Sequence, residues 1–181
     1  MKRIKGLLLV GGASRNVGKT TLITKIIENF SQNKSIIGLK IKTISDSDTY
    51  FHGKDSKKYF EKYLLEEGNH ADLNEDAGKM IQAGAKRTFL LRTKSEFLQE
   101  AFQFFLSKIE GSNIIVCESN SLRKYFEPDI YLLIKQENET NMKPSALEVE
   151  IFANRIIVTN GTEHDFDINK MQIENNIWSF V

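Results

Sequence analysis

Apolar residues come along this chain in short blocks, and the spacing within each block predicts an element. Residues 4–10 form a near-continuous apolar run that stops at Gly11-Gly12. The run is too short for a helix and suits a strand buried on both faces of a parallel sheet. Leu22, Ile23, Ile26, Ile27 and Phe30 then recur at helical spacing, which predicts a helix over residues 18–32. Residues 35–42 read as a second strand, so the first forty residues make a strand, loop, helix, strand unit. Residues 43–53, with their Ser, Asp and Thr, lack a period and read as a loop.

Residues 56–67 have Tyr59, Phe60, Tyr63 and Leu64 on one side of an expected helix. A second short helix is expected over 76–85 and a strand over 88–92. Ser95 is placed to cap a helix whose apolar face holds Phe97, Leu98, Ala101, Phe102, Phe105 and Ile109. Residues 113–117 read as another buried strand, ending in Glu118-Ser119-Asn120, and further strands are expected at 130–134 and 155–159 around a helix at 145–153. Strands alternating with helices predict an α/β fold with a mainly parallel, doubly wound sheet and helices on both faces. No proline- or glycine-rich linker interrupts the pattern, so residues 1–181 read as one domain.

The first strand-to-helix junction carries the chemistry. Ala13-Ser14-Arg15-Asn16-Val17-Gly18-Lys19-Thr20 matches G-x-x-x-x-G-K-[ST] except at its first position, where alanine replaces glycine. In such a P-loop, backbone N–H groups turn inward around a β-phosphate, and a glycine at position 18 lets the main chain approach closely. Lys19 is expected to reach the β- and γ-phosphates and Thr20 to ligate magnesium, with Thr21 near the α-phosphate. The expectation is therefore a P-loop NTPase-type fold that binds a nucleoside triphosphate, GTP or ATP, with Mg2+. A left-handed Ala13 would cost roughly 1 kcal/mol, a turn that Gly11 and Gly12 could absorb.

A magnesium water shell needs a carboxylate at the end of a neighbouring strand. Glu118 follows the apolar run at 114–117, and open α/β sheets gather ligands at the carboxyl ends of their strands. Asp46 and Asp48 follow the second strand and are the other candidates for holding metal or orienting water, against a solvated loop as the plain reading. Lys19, Glu118 and Asp46 form the expected catalytic set. Arg15 either touches the γ-phosphate or a second substrate, or points to solvent. Lys40 and Lys42 share one strand face by the period-two rule and are candidates for an anionic ligand, or else ordinary edge charges.

Composition narrows the class without changing it. Hydrophobic residues make up 40% and charged residues 27%, ordinary for a globular chain and not for a disordered one. A net charge of +1 supplies no global field toward nucleic acid or membrane. One cysteine, Cys117, excludes an intramolecular disulfide and fits a cytoplasmic setting. The expected thiol is buried and inert. Neither a signal-peptide pattern nor a run of about twenty apolar residues is visible. His52, His70 and His164 have no ligand spacing. At 159–162 the sequence Thr-Asn-Gly-Thr lacks the lysine and aspartate of a guanine-reading N-K-x-D run, so base choice stays open.

The chain resembles the molybdopterin-guanine dinucleotide biosynthesis protein B family of P-loop proteins. The likeness rests on Asn16-Val-Gly-Lys-Thr-Thr-Leu22, on Ile37-Gly-Leu-Lys40 leading into an Asp-containing loop, and on Ala83-Gly84-Ala85; it covers roughly the first 135 residues. It implies GTP binding with low intrinsic turnover, a molybdopterin-processing enzyme as partner, and a homodimer. The family's histidines after the second-strand lysine are replaced here by Ile41-Lys42-Thr43, and its Glu-Gly by Glu118-Ser119-Asn120. A second resemblance, to the dethiobiotin synthetase type, rests on Val17 to Thr20 and Lys40-Ile-Lys-Thr43. It implies an ATP-dependent ligase or kinase. A non-catalytic nucleotide switch, its loop at 43–53 ordering on triphosphate, is the third reading.

Overall fold

A computed structural model describes residues 1–44, 61–68, 76–109 and 113–181. Its first apolar run is interrupted at Gly6, where φ is +79° and a Cβ would fall 2.5 Å from the Asn113 carbonyl. The strand therefore starts only at residue 7, as β2 (Leu7–Gly12), and two residues ahead of the run form a separate short strand, β1 (Lys2–Arg3). After the loop come α1 (Lys19–Phe30) and β3 (Ile36–Ile44), close to expectation, although Thr43 and Ile44 belong to the strand and not to a loop. Next are β4 (Tyr63–Glu67), α2 (Asp76–Gln82), β5 (Arg87–Lys94), α3 (Leu98–Ser107) and β6 (Ile114–Glu118). The remainder is β7 (Phe126–Glu127), β8 (Ile130–Gln136), α4 (Pro144–Glu150), β9 (Arg155–Thr159), β10 (Met171–Glu174) and β11 (Ile177–Phe180).

The main sheet runs β4-β5-β3-β6-β2-β8-β9, parallel throughout except for β4, which pairs antiparallel with β5. The helix expected over 56–67 is thus corrected at its C-terminal end. Tyr63 and Leu65 reach the sheet core from an edge strand, and Arg92 of β5 is buried in an ion pair with Glu66. Edge pairing outweighed a local pattern equally readable as helical. Ser95 also departs from its expected role. Its hydroxyl donates to the Ile44 carbonyl at 2.8 Å, and a 3-10 turn at Ser95–Phe97 leads into α3 without a side-chain cap.

Alternation along the strands divides the core in two. Leu7, Leu9, Leu39 and Cys117 face α3 and α4, with Phe102 and Phe105 as the bulky fill. Leu8, Val10 and Val116 face Leu22, Ile23, Ile26 and Ile27 of α1 and Met80 of α2. The molecule is an α/β structure, a mostly parallel central sheet flanked by helices. On the α1 side a C-terminal hairpin of β10 and β11, absent from the sequence reading, adds Trp178, which is 1% exposed and packs edge-on to Phe30 at 5.2 Å. Its turn is Asn175-Asn176, both with positive φ, the backbone a two-residue hairpin demands.

Candidate functional site

Strand register builds the site. Val10, Glu118 and Lys40 lie side by side across β2, β6 and β3 at the carboxyl end of the sheet. Each continues the row of side chains that lower down packs against α1 and α2. Past the last apolar layer, that row ends in a carboxylate and an ammonium. The first turn of α1 and the first residue of α2 cover them, and both supply polar groups. The Thr20 hydroxyl donates toward Asp76 Oδ1 at 3.1 Å and Glu118 Oε2 at 3.3 Å. Lys40 Nζ pairs with Asp76 Oδ2 and lies 3.3 Å from Glu118 Oε1.

A cavity of about 610 Å³ opens above this cluster. Arg15, Asn16, Gly18, Lys19, Thr20 and Thr21 border it from the loop and α1; Lys40 and Lys42 border it from β3. Asp76, Lys79, Glu118 and Lys143 complete the polar wall. Six basic residues against two acidic ones leave a net positive wall among the described residues, which suits a polyanion. The first turn of α1 adds amide N–H groups that have no intrahelical acceptor.

The loop reaches this geometry differently from expectation. Ala13 does not take a left-handed turn; Asn16 (φ +59°) and Gly18 (φ +87°) do. Ala13 is instead buried, its N–H donating to Ile134 O and its carbonyl accepting from Lys143 N, both at 2.8 Å. Its amide is consequently not one of the donors facing the cavity. Val17 is also buried, and Ser14 Oγ donates to Glu139 at 2.9 Å, so neither side chain lines the cavity. Gly12 has to be glycine-sized, since a Cβ would fall 2.7 Å from Val17 Cγ1 and 2.8 Å from Lys19 Cδ. At Gly18 a Cβ would meet the His164 ring at 2.9 Å.

Lys19 Nζ bonds to the Ser14 carbonyl at 3.2 Å, folded back across its own loop. Burial holds its pKa below the ordinary lysine value, with the Lys40 charge adding and Glu118 and Asp76 opposing. Burial acts the same way on Lys40, but Glu118 and Asp76 outweigh it, so Lys40 is raised. Lys143 is lowered, first by burial and then by Lys19 and Arg15. Cys117 is a buried thiol pushed well above its usual value.

No family model matches this chain, and no curated protein or solved structure matches it either.

Of the residues singled out in the sequence, Lys19, Thr20, Lys40 and Glu118 come together in one cluster, with Arg15, Asn16, Thr21 and Lys42 around the same cavity. Asp46 and Asp48 lie outside the described residues, as do His52 and His70. Three contributors were not anticipated. Asp76 was legible only as an acid opening a short helix. Asn120 clamps Gly12 from both sides, its Oδ1 accepting Gly12 N–H at 2.8 Å and its Nδ2 donating to Gly12 O at 3.0 Å. Lys143 sits next to Pro144, and nothing in its neighbourhood along the chain marks it. Among the described residues no group of three or more His, Cys, Asp or Glu is close enough to hold a metal, and no helix is long and apolar enough to cross a membrane.

Proposed function

We propose that the chain binds a nucleoside triphosphate with magnesium in the larger cavity, as a P-loop protein of low intrinsic turnover. One observation carries the reading: Lys19 and Thr20 open α1 at the floor of a basic cavity, and the Thr20 hydroxyl already lies between two carboxylates. These oxygens fit the hard donors magnesium prefers, and an ion that keeps several waters needs few protein ligands. Thr20 would hold it directly, and Glu118 and Asp76 would hold its waters. When bound, magnesium supplies charge neutralisation to the phosphate oxygens. Lys19 would leave the Ser14 carbonyl for the β- and γ-phosphates, and the N–H groups of the first α1 turn would take phosphate oxygens. Lys40 keeps Glu118 and Asp76 oriented toward Thr20, a positioning role rather than contact with substrate. GTP, a molybdopterin-processing partner and a homodimer follow from the family resemblance.

Calorimetry with GTP and with ATP, each with magnesium, tests the reading on the wild type and on Lys19→Ala. Binding by the wild type and its loss in a folded Lys19→Ala protein are expected. Equal affinities in the two proteins would remove the assignment.

A second reading is an ATP-dependent ligase or kinase. It is favoured by a smaller cavity that shares Lys19 and Glu118 with the larger one. In that case the γ-phosphoryl group moves to an acceptor carboxylate oxygen as the bridging P–O bond breaks and the nucleoside diphosphate leaves. ATP consumption only with an added acid would favour it; slow hydrolysis alone would favour the first reading.

A further inference from the structure

The smaller cavity, about 160 Å³, lies toward the α3 and α4 face of the same sheet end. Thr43, Ser119, Asn120, Ser121 and Ser145 supply its polar wall, and Lys19, Thr43, Glu118 and Lys143 border both cavities. The hydrogen bonds already made there decide what it can accept. Ser119 Oγ accepts the Leu122 amide at 3.2 Å, which leaves its own hydrogen to donate. Ser145 Oγ accepts from Asn120 Nδ2 at 3.4 Å and is in the same position. The Thr43 and Ser121 hydroxyls share one bond at 3.2 Å, so one of their two hydrogens remains. Lys143 adds an ammonium that forms no ion pair among the described residues.

A wall with spare O–H donors and such a cation, beside Lys19 whose Nζ is already held on the Ser14 carbonyl, complements an oxyanion. Three spare hydroxyl hydrogens and the Lys143 ammonium offer four donor groups, which match the roughly four acceptor sites of a carboxylate and would leave part of a phosphate unpaired. That favours a carboxylate over a phosphate.

We propose that this cavity is a second-ligand subsite, holding the carboxylate of a small organic acid on Lys143, Ser121 and Ser145. Its place beside a triphosphate rests on the function proposed above, whereas the carboxylate binding itself does not.

The test titrates propionate into the full chain and follows backbone amide signals by NMR. Saturable shifts at Ser119, Ser121 and Ser145 are expected. Losing a hydrogen bond to a charged group should weaken binding by about tenfold in Ser121→Ala and in Ser145→Ala. Affinity for a non-hydrolysable triphosphate should stay unchanged in both variants, since neither residue borders the larger cavity. Absence of saturation, wild-type propionate affinity retained in both variants, or inorganic phosphate taking the site in preference once the triphosphate analogue is bound would each overturn the proposal. Propionate shifts in a wild-type protein that ignores the triphosphate analogue would sustain the subsite and sink the nucleotide reading.

Discussion

Lys40 and Asp76 hold each other charged, and the two sides of that pairing predict opposite pH limits. Burial alone would raise the Asp76 carboxyl, but the Lys40 hydrogen bond and charge, helped by Thr20 and Lys79, bring it below its ordinary value. Its contribution to stability is therefore present above about pH 4 and lost as pH falls through the depressed native value. Lys40 is raised, so its contribution is complete below about pH 10 and is lost as pH rises through the native value. Urea unfolding should show Asp76→Asn less stable than wild type at pH 7, with the gap closing in acid. A gap that stays constant down to pH 3 would refute the pairing. Lys40→Met should cost roughly 2 kcal/mol by the same measurement, because it strands the buried Glu118 carboxylate.

At the scale of elements, the position of α2 decides where Asp76 sits. Gly38 of β3 lets that helix approach: a Cβ there would fall 2.7 Å from Met80 Sδ and 3.1 Å from Thr88 Cγ2. Gly38→Val should push α2 outward and cost about 1–3 kcal/mol in denaturant unfolding, as overpacking does. It should also weaken triphosphate binding without touching the loop, because Asp76 leaves Thr20. Unaltered affinity in a destabilised Gly38→Val protein would show that Asp76 takes no part. The clamp on Gly12 acts on the loop in a parallel way. Asn120→Ala removes two hydrogen bonds to one residue and should cost about 2 kcal/mol.

For the molecule as a whole, the C-terminal hairpin ties the turn between β1 and β2 to the last strand. Trp178 fills the α1-side core, its indole N–H donates to Gly6 O at 3.1 Å, and Asp129 accepts the N–H groups of both Gly6 and Trp178. Trp178→Ala should destabilise the protein by about 3–5 kcal/mol, read as a lowered unfolding midpoint. Ligand linkage tests the site at the same scale. A triphosphate at a hundred times its dissociation constant should add about 2.7 kcal/mol of stability. EDTA should abolish most of that gain if magnesium is part of the bound species, and a thermal shift unaffected by EDTA would argue for metal-free binding.

Periodicity in the chain determined most of the helices and the buried strands, because a run confined to one face or buried on both is a local property of residue order. The loop at 13–20 was legible for the same reason: its glycine, lysine and threonine stand at fixed spacing from one helix start. Glu118 could be found as a polar residue closing an apolar run. What the sequence did not determine was which distant groups meet. Asp76, Asn120 and Lys143 reach the loop through strand order and helix packing, and no spacing along the chain encodes that. Tyr63–Glu67 shows the same limit in the fold. Its residues suit either a helix or a strand, and only the open edge of β5 decided between them.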